Sequence, residues 1–241
     1  MREFTPDEFL HVWSETGLDR YPAPLVLRGS TPLQADRDRL AAELHTRLPL
    51  GGDPDLTRIL RAAADPDSVV TLTGHTARPM RVYAAVTAGF GVVLAQRSTA
   101  DPVYGGNVLV ETGPAGIIPK IFTTIAGGPV RAGRGAALVE NVDRMRAEEE
   151  AGWAGIRETT GQRMRRLITG PRDGLGCVEV RHRVRSEHPH TTLQLHWIDV
   201  PGDGRYTLRA LHHELHVTPC DEPTLRREIA RLIHDEPEPD W

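Results

Sequence analysis

Apolar positions in the first part of the chain recur at helical spacing between clear start and stop signals. Thr5-Pro6-Asp7-Glu8 places an N-cap threonine before a first-turn proline, so a helix is predicted to run from there to Gly17. Leu25-Val26-Leu27 reads as a short strand. Ser30-Thr31-Pro32 then opens a second helix, whose stripe is Leu33, Leu40, Leu44 and Leu48. Gly51-Gly52 stops it, and Asp53-Pro54 caps a third helix that extends through Ala64. Beyond that point the period changes. Residues 69–73, 81–87 and 92–95 are β-rich runs separated by turn residues, which predicts a meander, and residues 108–110 add a fourth strand. Ile117, Ile118, Ile121, Phe122 and Ile125 then return to helical period within residues 114–126.

The breaker-rich segment 127–135 reads as a linker near the middle of the chain. After it, residues 136–168 carry helical sequence weakened at Gly152, Gly155 and Gly161, which predicts two packed helices. Strands follow at 177–184, 191–200 and 205–217, with Gly202-Asp203-Gly204 as the turn between the last two. A closing helix spans 223–233 behind Asp221 as N-cap, and the tail 235–241, with its alternating Glu and Pro, is expected to fray. Each half, about 1–130 and 131–241, thus reads helix, helix, antiparallel meander, helix, without residue-level identity between the halves. Strands that occur in runs predict an α+β fold, not a doubly wound sheet.

Composition adds exclusions. The 241 residues, 39% hydrophobic and 26% charged, suit a globular chain with a substantial core. The formal charge of −4 gives no pull toward nucleic acid. Lys120 is the only lysine beside 28 arginines, an imbalance that codon bias accounts for more simply than phosphate recognition. Cys177 and Cys220 have neither disulfide-scaffold nor CxxC spacing, so a reducing cytosol is the default. Glu3, Asp7 and Glu8 break any signal-peptide pattern, and the longest apolar stretch, 82–95, falls short of a membrane span.

Three constellations invite chemistry. His212-His213-Glu214-Leu215-His216 misses the zincin spacing by one, because Val217 stands where the second histidine is required. On a single strand, however, His212, Glu214 and His216 would share a face and could hold zinc, which keeps a small metal-dependent enzyme as the alternative function. His182, alternating with Val178, Val180 and Val184, reads as a hydrogen-bonded core histidine. Gly128 to Gly133 has a P-loop gap, but Arg134-Gly135 replaces the Lys and Ser or Thr that grip phosphate, and no Gly-x-Ser-x-Gly elbow occurs. Finally, Arg181, Arg183 and Arg185 alternate along one predicted strand beside Gln194 and His196, giving a broad polar face that suits a protein partner or plain solvent exposure.

Trp197-Ile198-Asp199, Gly204-Arg205-Tyr206 and Val217-Thr218-Pro219 before the closing helix resemble the EspG family of type VII (ESX) secretion-associated chaperones. Gly17-Leu18, Pro24-Leu25, Thr31 leading into Arg39-Leu40, and the helix from Leu56 to Leu60 before Asp65-Pro66 follow the same arrangement. The resemblance covers most of the chain and is weakest at 127–135 and 144–161. It implies a single quasi-two-fold α+β domain with a central antiparallel sheet flanked by two helical bundles. It further implies a cytosolic, non-enzymatic chaperone without cofactor or metal, which binds the helical tip of the PPE subunit of a PE–PPE heterodimer. The resemblance supplies no binding motif. Strand alternation instead nominates Arg181, Arg183, Gln194, His196 and Arg209 on the outer sheet face, with the turn carrying Thr76 and Arg78, as the partner surface. Free sheet edges would allow a homodimer.

Overall fold

In the computed structural model, which describes residues 1–101, 103–150, 158–187 and 192–235, the β-rich runs of both halves join one antiparallel sheet of ten strands. The first half contributes β1 (Arg2–Phe4), β2 (Ser68–His75), β3 (Pro79–Thr87), β4 (Phe90–Gln96) and β5 (Val108–Pro114). The second contributes β6 (Leu138–Asn141), β7 (Gly174–Arg181), β8 (Leu193–Val200), β9 (Gly204–Leu211) and β10 (Glu214–Pro219). The spatial order β1-β5-β4-β3-β2-β7-β8-β9-β10-β6 reads the same from either edge. Each half is a four-stranded meander flanked by a fifth, outermost strand that comes from the segment preceding its helices. The halves meet where β2 pairs with β7, Leu72 opposite Val178. Rotating about that pair carries β2 onto β7, β3 onto β8, β4 onto β9 and β5 onto β10, a quasi-two-fold α+β fold.

Helices cover both faces. On one face lie α4 (Ile117–Ile125) and α7 (Glu222–His234), which touch each other across the centre. Their Ile118, Phe122, Leu225 and Ile229 bury Val70, Leu72, Val82, Ala84, Val178, Val180 and Leu195. On the opposite face, α1 (Pro6–Trp13) and α3 (Pro54–Ala64) cover the first half through Phe9, Leu56 and Leu60, against Val69, Tyr83 and Leu94. Over the second half α6 (Thr160–Thr169) places Met164 on Ile198, Tyr206 and Leu208. The alternation of strand side chains dictates this division, since neighbouring residues serve opposite faces. Helices α2 (Gln34–Arg47), beside α1, and α5 (Val142–Glu150), beside α6, complete the set.

Caps behave as the sequence predicts. Thr5 and Glu8 form a reciprocal capping box, Asp53 accepts from the backbone of Asp55 and Leu56, and Asp221 accepts from Thr224. Gly17, at φ 74°, closes the 3₁₀ turn that follows α1.

Several expectations change. Residues 25–27 are not a strand. The side-chain amide of Gln96 meets the backbone of Val26 twice, at 3.0 and 2.9 Å, and so takes the place of a neighbouring strand while Leu25 and Leu27 are buried. The second helix begins only at Gln34, because the Ser30 amide is held by the Asp7 carboxylate at 3.1 Å. Residues 138–141 form edge strand β6 instead of helix, since Leu138 is buried only when paired beside Val217. Helix α5 starts immediately afterwards, with the Asn141 side chain accepting from Asp143 and Arg144. The predicted strand 205–217 is two strands, broken at His212, whose φ is 53°. Strand β7 ends at Arg181. Gly152, Gly155, Thr191 and the tail from Glu236 onward lie outside the described residues.

Segment 127–135 is fastened to the second half and is no loose linker. Arg205, fully buried, joins the Asp199 carboxylate through Nε at 2.7 Å and Nη2 at 2.9 Å and donates to the Ala126 carbonyl at 2.6 Å. Its backbone N–H donates to Arg131, and its carbonyl accepts from Gly133 and Cys220, each at 2.9 Å. Asp203 accepts from the Arg134 amide at 2.8 Å and the Tyr206 hydroxyl at 2.7 Å. Those two bonds hold its carboxyl below the usual range, the Arg134 amide contributing most.

Candidate functional site

Between the ground covered by α3 and that covered by α6, a strip of the sheet runs down the quasi-two-fold centre with polar side chains. Strands β2, β7 and β8 supply it. Thr73 pairs with Cys177 and Cys177 with His196; Thr71 pairs with Glu179 and Glu179 with Gln194; Val69 pairs with Arg181. Paired residues share a face, so these side chains form two rows. Thr73, Arg181, Gln194 and His196 are exposed, whereas Thr71, Cys177 and Glu179 are half-buried. Leu175, 38% exposed and paired with His75 and Ile198, adds an apolar contact at one end.

The strip is internally bonded. Gln194 Nε2 donates to Glu179 Oε2 at 3.2 Å, and Arg181 Nε lies 3.9 Å from Glu179 Oε1. His196 Nε2 lies 3.4 Å from Gln194 Oε1 and 3.9 Å from Cys177 Sγ. A cysteine beside a histidine suggests a nucleophile, but burial, reinforced by Glu179, pushes the Cys177 thiol up to about 11. At neutral pH it is a thiol, poorly suited to attack. What remains is a row of donors and acceptors at fixed sheet spacing beside an exposed leucine, a surface able to pair with another chain.

Of the nominated residues, the structure brings together Arg181, Gln194 and His196. Arg183 follows the end of β7 at φ 50° and leaves the strand alternation. Arg185 pins the same loop to the start of β2, reaching Asp65 at 2.8 Å and Asp67 at 3.0 Å. Arg209 faces the opposite way, toward α7, with Nη1 3.4 Å from Glu228. Thr76 and Arg78, in the turn between β2 and β3, line a cavity on that α4/α7 face and not the strip. Glu179, Cys177, Thr71, Thr73 and Leu175 are the members that the sequence reading missed. Glu179 shares the alternation of Arg181 and was legible, whereas Thr71 and Thr73 needed the β2–β7 pairing. His182 is a core histidine, 2% exposed, between Ser68 at 3.2 Å and the Leu232 carbonyl at 2.9 Å.

The histidine-rich segment does not assemble the zinc face. His212 sits in the hairpin turn, His213 Nδ1 lies 3.7 Å from Asp143, and His216 Nε2 lies 3.2 Å from Glu214. Among the described residues no group of three or more His, Cys, Asp or Glu is placed to hold a metal, and no helix is long and apolar enough to cross a membrane.

No curated protein sequence matches this one. The solved structure of the Mycobacterium tuberculosis type VII secretion system chaperone EspG5, in complex with the PE25–PPE41 dimer, superposes with a TM-score of 0.67 at 13% identity. The match covers 100% of this chain and 98% of that one, so the two share their fold from end to end. The sequence profile of the EspG family matches residues 5–231, and the chain belongs to that family.

Proposed function

We propose that this protein is a cytosolic, non-enzymatic chaperone of type VII secretion that binds a PE–PPE heterodimer at the helical tip of its PPE subunit, keeping the pair soluble for export. The observation that carries this reading is family membership over residues 5–231, together with a full-length fold match to a chaperone whose solved complex holds a PE–PPE dimer. The physical logic agrees. A helical client with an apolar tip aggregates unless that surface is covered, and a broad sheet face bordered by helices covers it without chemistry. We assign the contact to the open strip, with Arg181, Gln194 and His196 around the exposed Leu175.

Co-expression with PE–PPE pairs encoded nearby, followed by gel filtration, tests the reading. At least one cognate pair should co-elute with the wild-type chain, and Arg181→Glu combined with His196→Glu should release it. Failure with every cognate pair would sink the chaperone reading; unchanged co-elution of the double variant would sink only the placement of the contact.

A further inference from the structure

A cavity of about 890 Å³ lies on the α4/α7 face, away from the strip. Its floor is the first-half sheet, through Met80, Val93, Ala95 and Leu109; one wall is α4 with Ile121, and the β2–β3 turn closes an end. The lining is mostly apolar, yet Arg78 and Lys120 are both exposed there and neither side chain forms an ion pair among the described residues. Arg97 is already held by Glu3 at 2.8 Å, and Glu111, which pairs with Val93 and so shares the floor's face, is a carboxylate within the lining, leaving Arg78 and Lys120 one positive charge in excess. The fold does not require this groove. At the matching place in the second half, Arg209 stands for Ala95, His216 for Leu109 and Glu228 for Ile121, and the Arg209–Glu228 pair bridges sheet to helix.

From the apolar floor and the excess of positive charge in the lining, we infer that this groove binds a single-chain amphipathic anion, an alkyl carboxylate. The chain lies along Ala95, Leu109 and Ile121, and the carboxylate meets Lys120 and Arg78. The volume suits a small ligand, and a desolvated carboxylate needs such a charged partner.

Calorimetric titration with laurate, held below its micelle threshold, tests it. Laurate should bind one to one, and dodecyltrimethylammonium, with the same chain and the opposite charge, about tenfold more weakly or worse. Lys120→Glu, a surface change that leaves the core alone, should weaken laurate by at least about tenfold. Arg209→Ala in the other half should change nothing. Lys120 is the only lysine, so amine-reactive labelling read by mass spectrometry on its own peptide, separately from the Met1 α-amine, reports on the groove, and laurate should slow the Lys120 modification severalfold. Absence of saturable binding, equal affinity for the two head groups, or unchanged binding by Lys120→Glu would each overturn the inference.

Discussion

The two halves share strand order and register, and each closes with a helix on the same face, yet they fill the same positions with different chemistry. At one row the first half pairs Val70 with Ala84, a medium residue beside a small one, while the second pairs Gly176 with Trp197. The indole lies where a side chain on residue 176 would sit: a Cβ there would come within 2.1 Å of the ring. One row outward, Gly91 of the first half corresponds to Arg205 of the second, which is buried and paired with Asp199. At the helix boundary, Ala95 and Ile121 correspond to the Arg209–Glu228 ion pair. Backbone pairing fixes the architecture, and side-chain volume and charge are traded freely as long as each row remains filled and each buried charge is paired. That explains how a two-fold fold survives without internal sequence identity.

The largest effects should come from breaking the second half's own solution. Trp197→Ala should cost about 3–5 kcal/mol by opening a cavity, and Gly176→Val about 1–3 kcal/mol or more by overpacking against the indole. The double variant restores the first half's size pattern, so chemical denaturation should show it less destabilised than the sum of the two singles. Arg205→Ala should cost about 3–5 kcal/mol, because it strands the Asp199 carboxylate and unfastens the connecting segment.

Smaller effects sharpen the comparison at the helix boundary. Arg209 and Glu228 are both partly exposed, so Glu228→Ala should cost no more than about 1 kcal/mol in the same measurement. Replacing the pair as Arg209→Ala with Glu228→Ile, which copies the first half, should leave stability nearly unchanged. The smallest effect concerns pH. The Asp203 carboxyl, depressed by its bonds from Arg134 and Tyr206, adds stability that is present above its ordinary value near 3.8 and is lost as pH falls through the lower folded value. The stability gap between wild type and Asp203→Ala, measured by thermal melts, should therefore narrow below pH 4 and stay constant between pH 5 and 8.

Most of the architecture was legible because its signals are local. Thr5, Asp53 and Asp221 announce their helices through bonds made within three residues, and the β2–β4 meander follows from β-rich runs. What escaped depends on distant partners. The Leu25–Leu27 segment has strand composition, but Val26 bonds the Gln96 side chain and Leu27 the Tyr21 hydroxyl instead of a neighbouring strand. Leu138 sits in helix-like sequence and becomes a strand only beside β10. His212 offers no turn signal of the usual Gly or Asn kind, so one strand was read where two exist. The same limit shaped the site. Arg181, Gln194 and His196 share a face through simple alternation, whereas Arg209 points away because its position relative to β8 is set by the tight turn before it.

The most direct test of the central claim is amide hydrogen exchange of the protein alone and in complex with its cognate PE–PPE pair. New protection is expected in β7 and β8 and at the Leu175 end of the strip, with α4 and the groove beneath it unchanged. Protection confined to α4 and the β2–β3 turn, with β7 and β8 exchanging as in the free protein, would contradict it.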